Sequence, residues 1–222
     1  MWRGIQHENP SGERAKVTGV DFSEKLVELA KREEAKQKLG ITYYVSDAAD
    51  MKELSSNYFD LATCFMSLQD IKLYEDAISE VARVLKKDGS FIFSIPHPCF
   101  ECGIVEDGDF ISGWIYEEGT ENTAEEKALR IEVKKYFGTV EYEVAWTMKR
   151  LIKPFKTTSF HRTLTDYLQP LYESGLLVSR LVEPRPMSRA VSKHPSLKKV
   201  LKIPQSIISE AIKRSARQYG ER

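Results

Sequence analysis

Val17-Thr18-Gly19-Val20-Asp21-Phe22-Ser23, running into Glu24-Lys25-Leu26-Val27-Glu28-Leu29-Ala30, decides the fold. The first five residues are short, β-branched or small, and they stop at a carboxylate. Ser23 is a good helix N-cap, and apolar residues then recur at helical spacing. A buried strand that ends in an acid and passes at once into a capped helix suits a nucleotide-binding α/β sheet, where such an acid holds ribose hydroxyls.

Working outward, the helix is expected from Glu24 to Lys38, stopped at Gly40. Ile41 to Val45 reads as a second strand, closing on Ser46-Asp47-Ala48, and Phe59 to Phe65 as a third, apolar enough to be buried on both faces. Tyr74, Ala77, Ile78, Val81, Ala82 and Leu85 mark an amphipathic helix. Lys86-Lys87-Asp88-Gly89 ends it, with Gly89 expected as a left-handed cap. Ser90 to Ile95 is a fourth strand, stopped by Pro96 and Pro98. Strands alternating with helices predict a doubly wound, mostly parallel sheet whose strand ends open on one edge.

Cys99 to Lys156 breaks that rhythm. It is acidic and then aromatic, and reads as a lid insertion after the fourth strand, with one strand near Thr139 to Thr147. Thr165 is expected to cap a helix through Ser174, with Gly175 ending it and Leu176 to Val182 forming a strand. Ile203 to Ile212 fits helix or strand. The expected organisation is one domain over residues 1–222, with an atypical start (1–15), a lid or acceptor insertion (99–156), and a C-terminal helix and strands (157–212).

The 222 residues carry 33 basic and 33 acidic side chains, so no global field draws nucleic acid. No apolar run is long enough to span a bilayer, and no signal-peptide core opens the chain, so a cytoplasmic location with reduced cysteines is expected. Nine acidic residues and no Lys or Arg lie between Glu101 and Glu126. That stretch reads as a solvated loop or as a lid selecting a cation. Cys99-Phe100-Glu101-Cys102 is one Cys pair without a second, so incidental packing is expected there and no metal.

Val17 to Ser23, Ser46-Asp47-Ala48, Phe59-Asp60-Leu61 and Ala82 to Ser90 together resemble the class I S-adenosylmethionine-dependent methyltransferases, specifically the small-molecule group of the ubiquinone and menaquinone biosynthesis enzymes. His161-Arg162-Thr163-Leu164 through Gly175, and Glu183-Pro184-Arg185-Pro186, resemble that family's last helix and strand. The resemblance implies a Rossmann-like fold, S-adenosylmethionine as cofactor and a small-molecule acceptor. It implies that Asp21 holds the ribose diol beside Phe22 and Ser23, and that Asp47 takes the adenine amino proton next to the small Ala48. Cys64, Phe65 and Met66 would line the methionine portion. A sulfonium methyl is already electrophilic, so alignment and exclusion of water do most of the work. His97 and His161 are the candidates for a general base where the acceptor must lose a proton.

The family's Gly-x-Gly turn after the first strand is missing, since this chain has no Gly-x-Gly anywhere. Residues 1–12 look neither strand-like nor apolar, so the first central strand is expected to be missing or degraded and cofactor binding weakened. Met1-Trp2 must be encoded ATG TGG, and a shifted frame there permits Cys-Gly-Glu-Gly-Tyr, a glycine turn out of frame. Coding DNA whose shifted frame lacks that pattern removes the idea. Two competing functions stand beside methyl transfer: a methyltransferase-like binding protein without activity, and a nicotinamide-dependent oxidoreductase, against which the absence of Tyr-x-x-x-Lys counts.

Overall fold

Strand β1 (Trp2–Gln6) lies between β2 (Lys16–Asp21) and β4 (Phe59–Phe65) in a seven-stranded sheet that also contains β3 (Thr42–Val45), β5 (Leu85–Pro96), β10 (Leu176–Val182) and β11 (Ser206–Lys213). The order is β10-β11-β5-β4-β1-β2-β3. The structure, a computed structural model, describes residues 2–6, 15–101, 111–118, 128–146 and 153–214. The chain divides into two compact units, one of Met1–Ser94, Leu168–Leu181 and Ser209–Arg222, the other of Ile95–Tyr167 and Val182–Ile208. The second unit is thus broader than the insertion expected over 99–156.

In the first unit, β2 and β3 pair in parallel, as do β4 and β5. Helix α1 (Glu24–Gln37) follows β2, and α2 (Tyr74–Val84) follows β4, giving the expected α/β alternation. Ser23 caps α1 by accepting the Leu26 N–H at 3.4 Å. The helix ends on Lys38, whose left-handed conformation caps it two residues before Gly40, which also has a positive φ. Ala77, Ile78, Val81, Ala82 and Val84 bury the apolar stripe of α2. Ile207, Ser209 and Ala211 are buried while their neighbours are not, and this period of two makes the ambiguous segment a strand.

Two expectations change here. Gly89 is not a left-handed cap; Asp88 carries the positive φ of 62°. Gly89 is needed because an added Cβ would meet the backbone oxygens of Lys86, Asp60 and Phe59 at 3.0, 3.1 and 3.2 Å. The first central strand is also present. Trp2–Gln6 fills its slot, but antiparallel to both neighbours. The sequence there is a poor strand former. The reason it pairs is that β2 and β4 each offer an edge of backbone donors and acceptors that would otherwise be unsatisfied inside the sheet.

The second unit contains two antiparallel hairpins, β6 (Ser112–Tyr116) with β7 (Ala128–Val133) and β8 (Val140–Trp146) with β9 (Phe155–His161). Ile111, Val140 and Tyr142 form its small core, with Val144 packed on them. Short helix α4 (Ser188–Lys193) and a 3₁₀ segment, Pro195–Leu201, complete it. Helix α3 (Leu164–Glu173) begins one residue before the expected cap Thr165. Thr163 and Asp166 form its reciprocal cap, each backbone N–H donating to the other's side chain, at 2.7 and 3.2 Å.

Candidate functional site

Strand register brings the site residues to one edge. Arg3 of β1 pairs with Gly19 on one side and Thr63 on the other, so β2 and β4 advance in step. Two residues on, Asp21 stands level with Phe65. Asp21 also pairs with Val45, and Phe65 with Ser94. The carboxyl ends of four strands therefore form one line, in the order Val45, Asp21, Phe65, Ser94. Ser46 donates its backbone N–H to the Asp21 carbonyl at 3.1 Å, which sets Asp47 one residue from the Asp21 strand end.

Asp21 is half-buried, and its Oδ1 accepts the Ser23 N–H at 2.9 Å. Phe22 is 82% exposed at this rim. Asp47 Oδ1 accepts the Ala49 N–H at 2.9 Å in a local turn, and Ala48 is half-buried. Both carboxylates thus shape their own loops as well as facing the edge. Phe65 and Met66 are about half exposed. Met66 sits at φ 48°, held by its N–H donating to the Ser94 carbonyl at 2.9 Å and to Ser94 Oγ at 3.1 Å. A bulky residue held in the left-handed region at a strand end is strained, which is common where a chain must present a side chain. Cys64 differs: it is buried in the sheet, and burial pushes its thiol up to about 12. It packs the core beneath the rim.

The turn after β3 is fastened from α2. Arg83 donates to both carboxylate oxygens of Glu80 at 2.6 and 2.8 Å, to the carbonyls of Met51 and Leu54 at 2.9 Å each, and to Ser56 Oγ at 3.0 Å. Glu80 in turn accepts the Met51 N–H at 2.8 Å. Hydrogen bonds from Arg83 hold the Glu80 carboxyl below the usual carboxylate range, although burial opposes them.

At the same edge the reversed β1 matters most. Its carboxyl end, Gln6, pairs with Lys16 at the opposite edge of the sheet. Strand β1 therefore ends at the edge away from Asp21 and Phe65. A nucleoside fits the residues present, with an acid for a diol, an aromatic rim and a small residue at Ala48.

Seven strands in this order, with β3, β2, β4 and β5 aligned at the Asp21 edge, decide the fold class. The fold is that of the S-adenosylmethionine-dependent methyltransferases. Residues 3–93 match the model of the methyltransferase domain. Among solved structures, an S-adenosylmethionine dependent methyltransferase from Mesorhizobium loti superposes with a TM-score of 0.64 at 24% identity, covering 88% of this chain and 79% of that one. A ubiquinone biosynthesis O-methyltransferase of Coxiella burnetii is 32% identical over 91 residues, 41% of this chain and 38% of that protein. A demethylmenaquinone methyltransferase of Leptospira interrogans is 35% identical over 78 residues, 34% of this chain and 31% of that protein. The chain thus spans less than two-fifths of the length of these two curated relatives.

The two histidines have other occupations in the second unit of this methyltransferase fold. His161 is fully buried, with Nδ1 3.0 Å from Glu101 Oε2 and Nε2 2.9 Å from the Tyr136 carbonyl. Both partners accept, so both ring nitrogens donate and the ring is an imidazolium. Burial opposes that charge, yet the Glu101 carboxylate and the Tyr136 carbonyl outweigh it and raise the His161 pKa. A charged, enclosed ring is not placed to accept a proton from a ligand. His97 accepts the Cys99 N–H on Nδ1 at 3.2 Å, so Nε2 carries the hydrogen donated to Glu183 Oε1 at 3.0 Å. Its lone pair is also occupied.

Glu101, read in the sequence as part of an acidic loop, is the buried centre of this cluster and accepts from Tyr142 and His161. Its backbone carbonyl accepts from Ser112 Oγ at 2.6 Å. Cys102 and the acidic residues 106, 107 and 109 lie outside the described residues, as do 121, 125 and 126. Among the described residues no cluster of His, Cys, Asp and Glu is arranged to hold a metal.

Proposed function

We propose that this chain binds S-adenosylmethionine at the Asp21 edge and transfers its methyl group to a small-molecule acceptor, with affinity weakened by the reversed central strand. One observation carries the reading: Asp21 ends β2, Phe65 ends β4 and Asp47 follows β3 by two residues, all at a common edge of a methyltransferase-type sheet. The matched relatives, named as quinone-biosynthesis methyltransferases, support an aromatic oxygen or carbon as the acceptor.

When bound, S-adenosylmethionine supplies an electrophilic methyl group. The chain's own residues bind and orient. Asp21 accepts from the ribose hydroxyls while its other bond, to Ser23, fixes the carboxylate plane. Asp47 faces the adenine amino group, and Ala48 leaves room for the ring. Phe22 and Phe65 cover the nucleoside with apolar surface and keep water from it. Neither histidine accepts the acceptor's proton, so an acceptor that ionises in water suits this site better than one needing a general base.

The test is calorimetry with 5′-methylthioadenosine and with S-adenosylhomocysteine at concentrations up to about 1 mM, where binding energies of about 4 kcal/mol are still measurable. Binding of either nucleoside that Asp21→Asn weakens about tenfold, the value of one hydrogen bond to charge, supports the reading. No heat from wild type with either compound overturns it and favours a protein that kept the fold without the cofactor. The expected weakness has its own measure: nanomolar S-adenosylhomocysteine affinity would show that the reversed strand does no harm.

A further inference from the structure

Between Glu183 and Glu210 the sequence holds no Asp or Glu, yet it holds Arg185, Arg189, Lys193, Lys198, Lys199 and Lys202. The whole chain is neutral, so this run is a local excess of positive charge. The two acids that bound it are engaged elsewhere, Glu183 with His97 and Glu210 with Ser90 Oγ. Arg185, Arg189, Lys193, Lys198 and Lys202 are all exposed, and among the described residues none of them is held in an ion pair.

The segment is folded, and its fold presents those cations. Arg189 and Lys193 lie one turn apart on one face of α4. In the 3₁₀ segment Lys198 and Leu201 stack at a spacing of three. Ala190, Val191, Leu197 and Val200 are half-buried beneath them. Helices this short do not hold themselves, so they need an anchor. Lys199 supplies it: Nζ donates to Tyr116 Oη at 2.7 Å and lies 5.0 Å and 5.7 Å from the ring centres of Tyr116 and Trp114.

Apolar side chains stand among the exposed cations. Met187 is 76% exposed between Arg185 and Arg189, and Leu201 is 45% exposed between Lys198 and Lys202. Cations interleaved with exposed apolar side chains match an anionic leaflet, whose headgroups take the charge while its acyl boundary takes the apolar groups. A nucleic-acid strand would leave Met187 and Leu201 in water. It would also find no ring to stack on, since no Phe, Tyr or Trp lies between Glu183 and Glu210, and Trp114 and Tyr116 already carry Lys199.

We propose that α4 and the 3₁₀ segment dock the second unit onto a bilayer surface rich in anionic phospholipid. Arg189, Lys193 and Lys198 meet the headgroup phosphates, and Met187 and Leu201 enter the acyl boundary. The contact is interfacial, because no helix among the described residues is long and apolar enough to cross a membrane. It stands independently of the methyl-donor reading.

The test sediments the full chain with phosphatidylcholine vesicles and with vesicles carrying about 30% phosphatidylglycerol, at about 0.1 M salt. The anionic vesicles are expected to bind at least about tenfold more tightly, and about 0.5 M salt to remove most of that difference. Each cation near such a leaflet strengthens binding about fivefold, so Arg189→Gln, Lys193→Gln and Lys198→Gln together should weaken it about a hundredfold. Met187→Ser with Leu201→Ser keeps every charge and should weaken it about tenfold or more. Lys25→Gln, Lys31→Gln and Arg32→Gln on the exposed face of α1 remove the same charge elsewhere and should leave it within about twofold of wild type. All these side chains are exposed, so melting temperatures should stay within a few degrees of wild type. Equal binding to both vesicles, binding to neither, full binding by the serine pair, or an equal loss in the α1 variant overturns the proposal. So does tighter retention on single-stranded RNA than on anionic vesicles, shared by wild type and the serine pair.

Discussion

Replacing Arg83 with Met should loosen the turn that carries Asp47 and destabilise the first unit by about 3–4 kcal/mol. The substitution keeps the aliphatic stem and removes five hydrogen bonds. Two of them reach the Glu80 carboxylate. Arg83 and Glu80 side chains are 33% and 19% exposed, so each bond is taken at the lower end of the charge-assisted range, about 1.5 kcal/mol. Met51 O retains the Leu54 N–H as a partner, whereas Leu54 O loses the guanidinium, which adds about 1 kcal/mol. In a domain of this size each kcal/mol moves the melting temperature by about 2–4 °C, so a fall of about 6–16 °C is expected. Urea unfolding followed by circular dichroism measures the free energy directly. Arg83→Lys can hold one partner but not the fork, and should recover less than half of the loss. A loss below about 1 kcal/mol for Arg83→Met, or a lysine variant equal to wild type, would refute the reasoning, since the bonds would then be no better than solvation. A cycle with Glu80→Gln should show coupling above about 1 kcal/mol between the two sites.

Three further outcomes are expected. Two pH effects act on opposite sides of neutrality. Glu80 has a lowered folded pKa, so its contribution is present above the unfolded carboxylate value and is lost as pH falls through the folded one. His161 has a raised folded pKa, so its contribution is full below the ordinary histidine value and is lost as pH rises through the higher folded one. Melting temperatures between pH 3 and pH 9 should show both slopes, Glu80→Gln flattening the acidic one and Glu101→Gln the alkaline one; unchanged slopes in these variants would refute the assignments. Gly89→Ala should cost about 1–3 kcal/mol in urea titration, because three backbone oxygens at 3.0–3.2 Å cannot all retreat from a methyl group; a neutral result would show that the β5 turn yields. Cys64, buried with its thiol raised to about 12, should resist iodoacetamide at pH 8 in the folded protein and react on unfolding. Rapid native labelling of Cys64, read by mass spectrometry, would contradict its placement.

The strands around Asp21 were legible because each is a β-branched or apolar run with a clear stop, and α2 because its apolar residues keep helical spacing. Phe59–Phe65 and Leu176–Val182 fall where the residues place them. Trp2–Gln6 was not legible, since one β-branched residue among five gives no local reason to extend. Its pairing comes from neighbours about 15 and 60 residues away. Strands β6, β7 and β9 mix aromatic, charged and small residues without strict alternation, so only β8, near Thr139 to Thr147, was read as a strand in the insertion. Asp21 and Asp47 stood out because an acid ends one strand and closely follows the next. Glu101 did not, because spacing does not distinguish a buried polar side chain from a solvated one. The buried partners of His161 decide its protonation, and they come from 25 and 60 residues away.

A sheet built in this order has a seam. Everything that joins the β2–β3 ribbon laterally to the β4–β5 ribbon passes through five residues, Trp2 to Gln6. Should that short strand peel away, two inner edges lose their hydrogen bonds at once, and each becomes a template for another chain. Such an opening is governed by local pairing and can precede global unfolding, so the amides of Gly19 and Thr63 would exchange with solvent sooner than those deep in β5. The same slot could then accept a strand laid in the other direction, which would bring a turn to the Asp21 edge without disturbing the ribbons on either side.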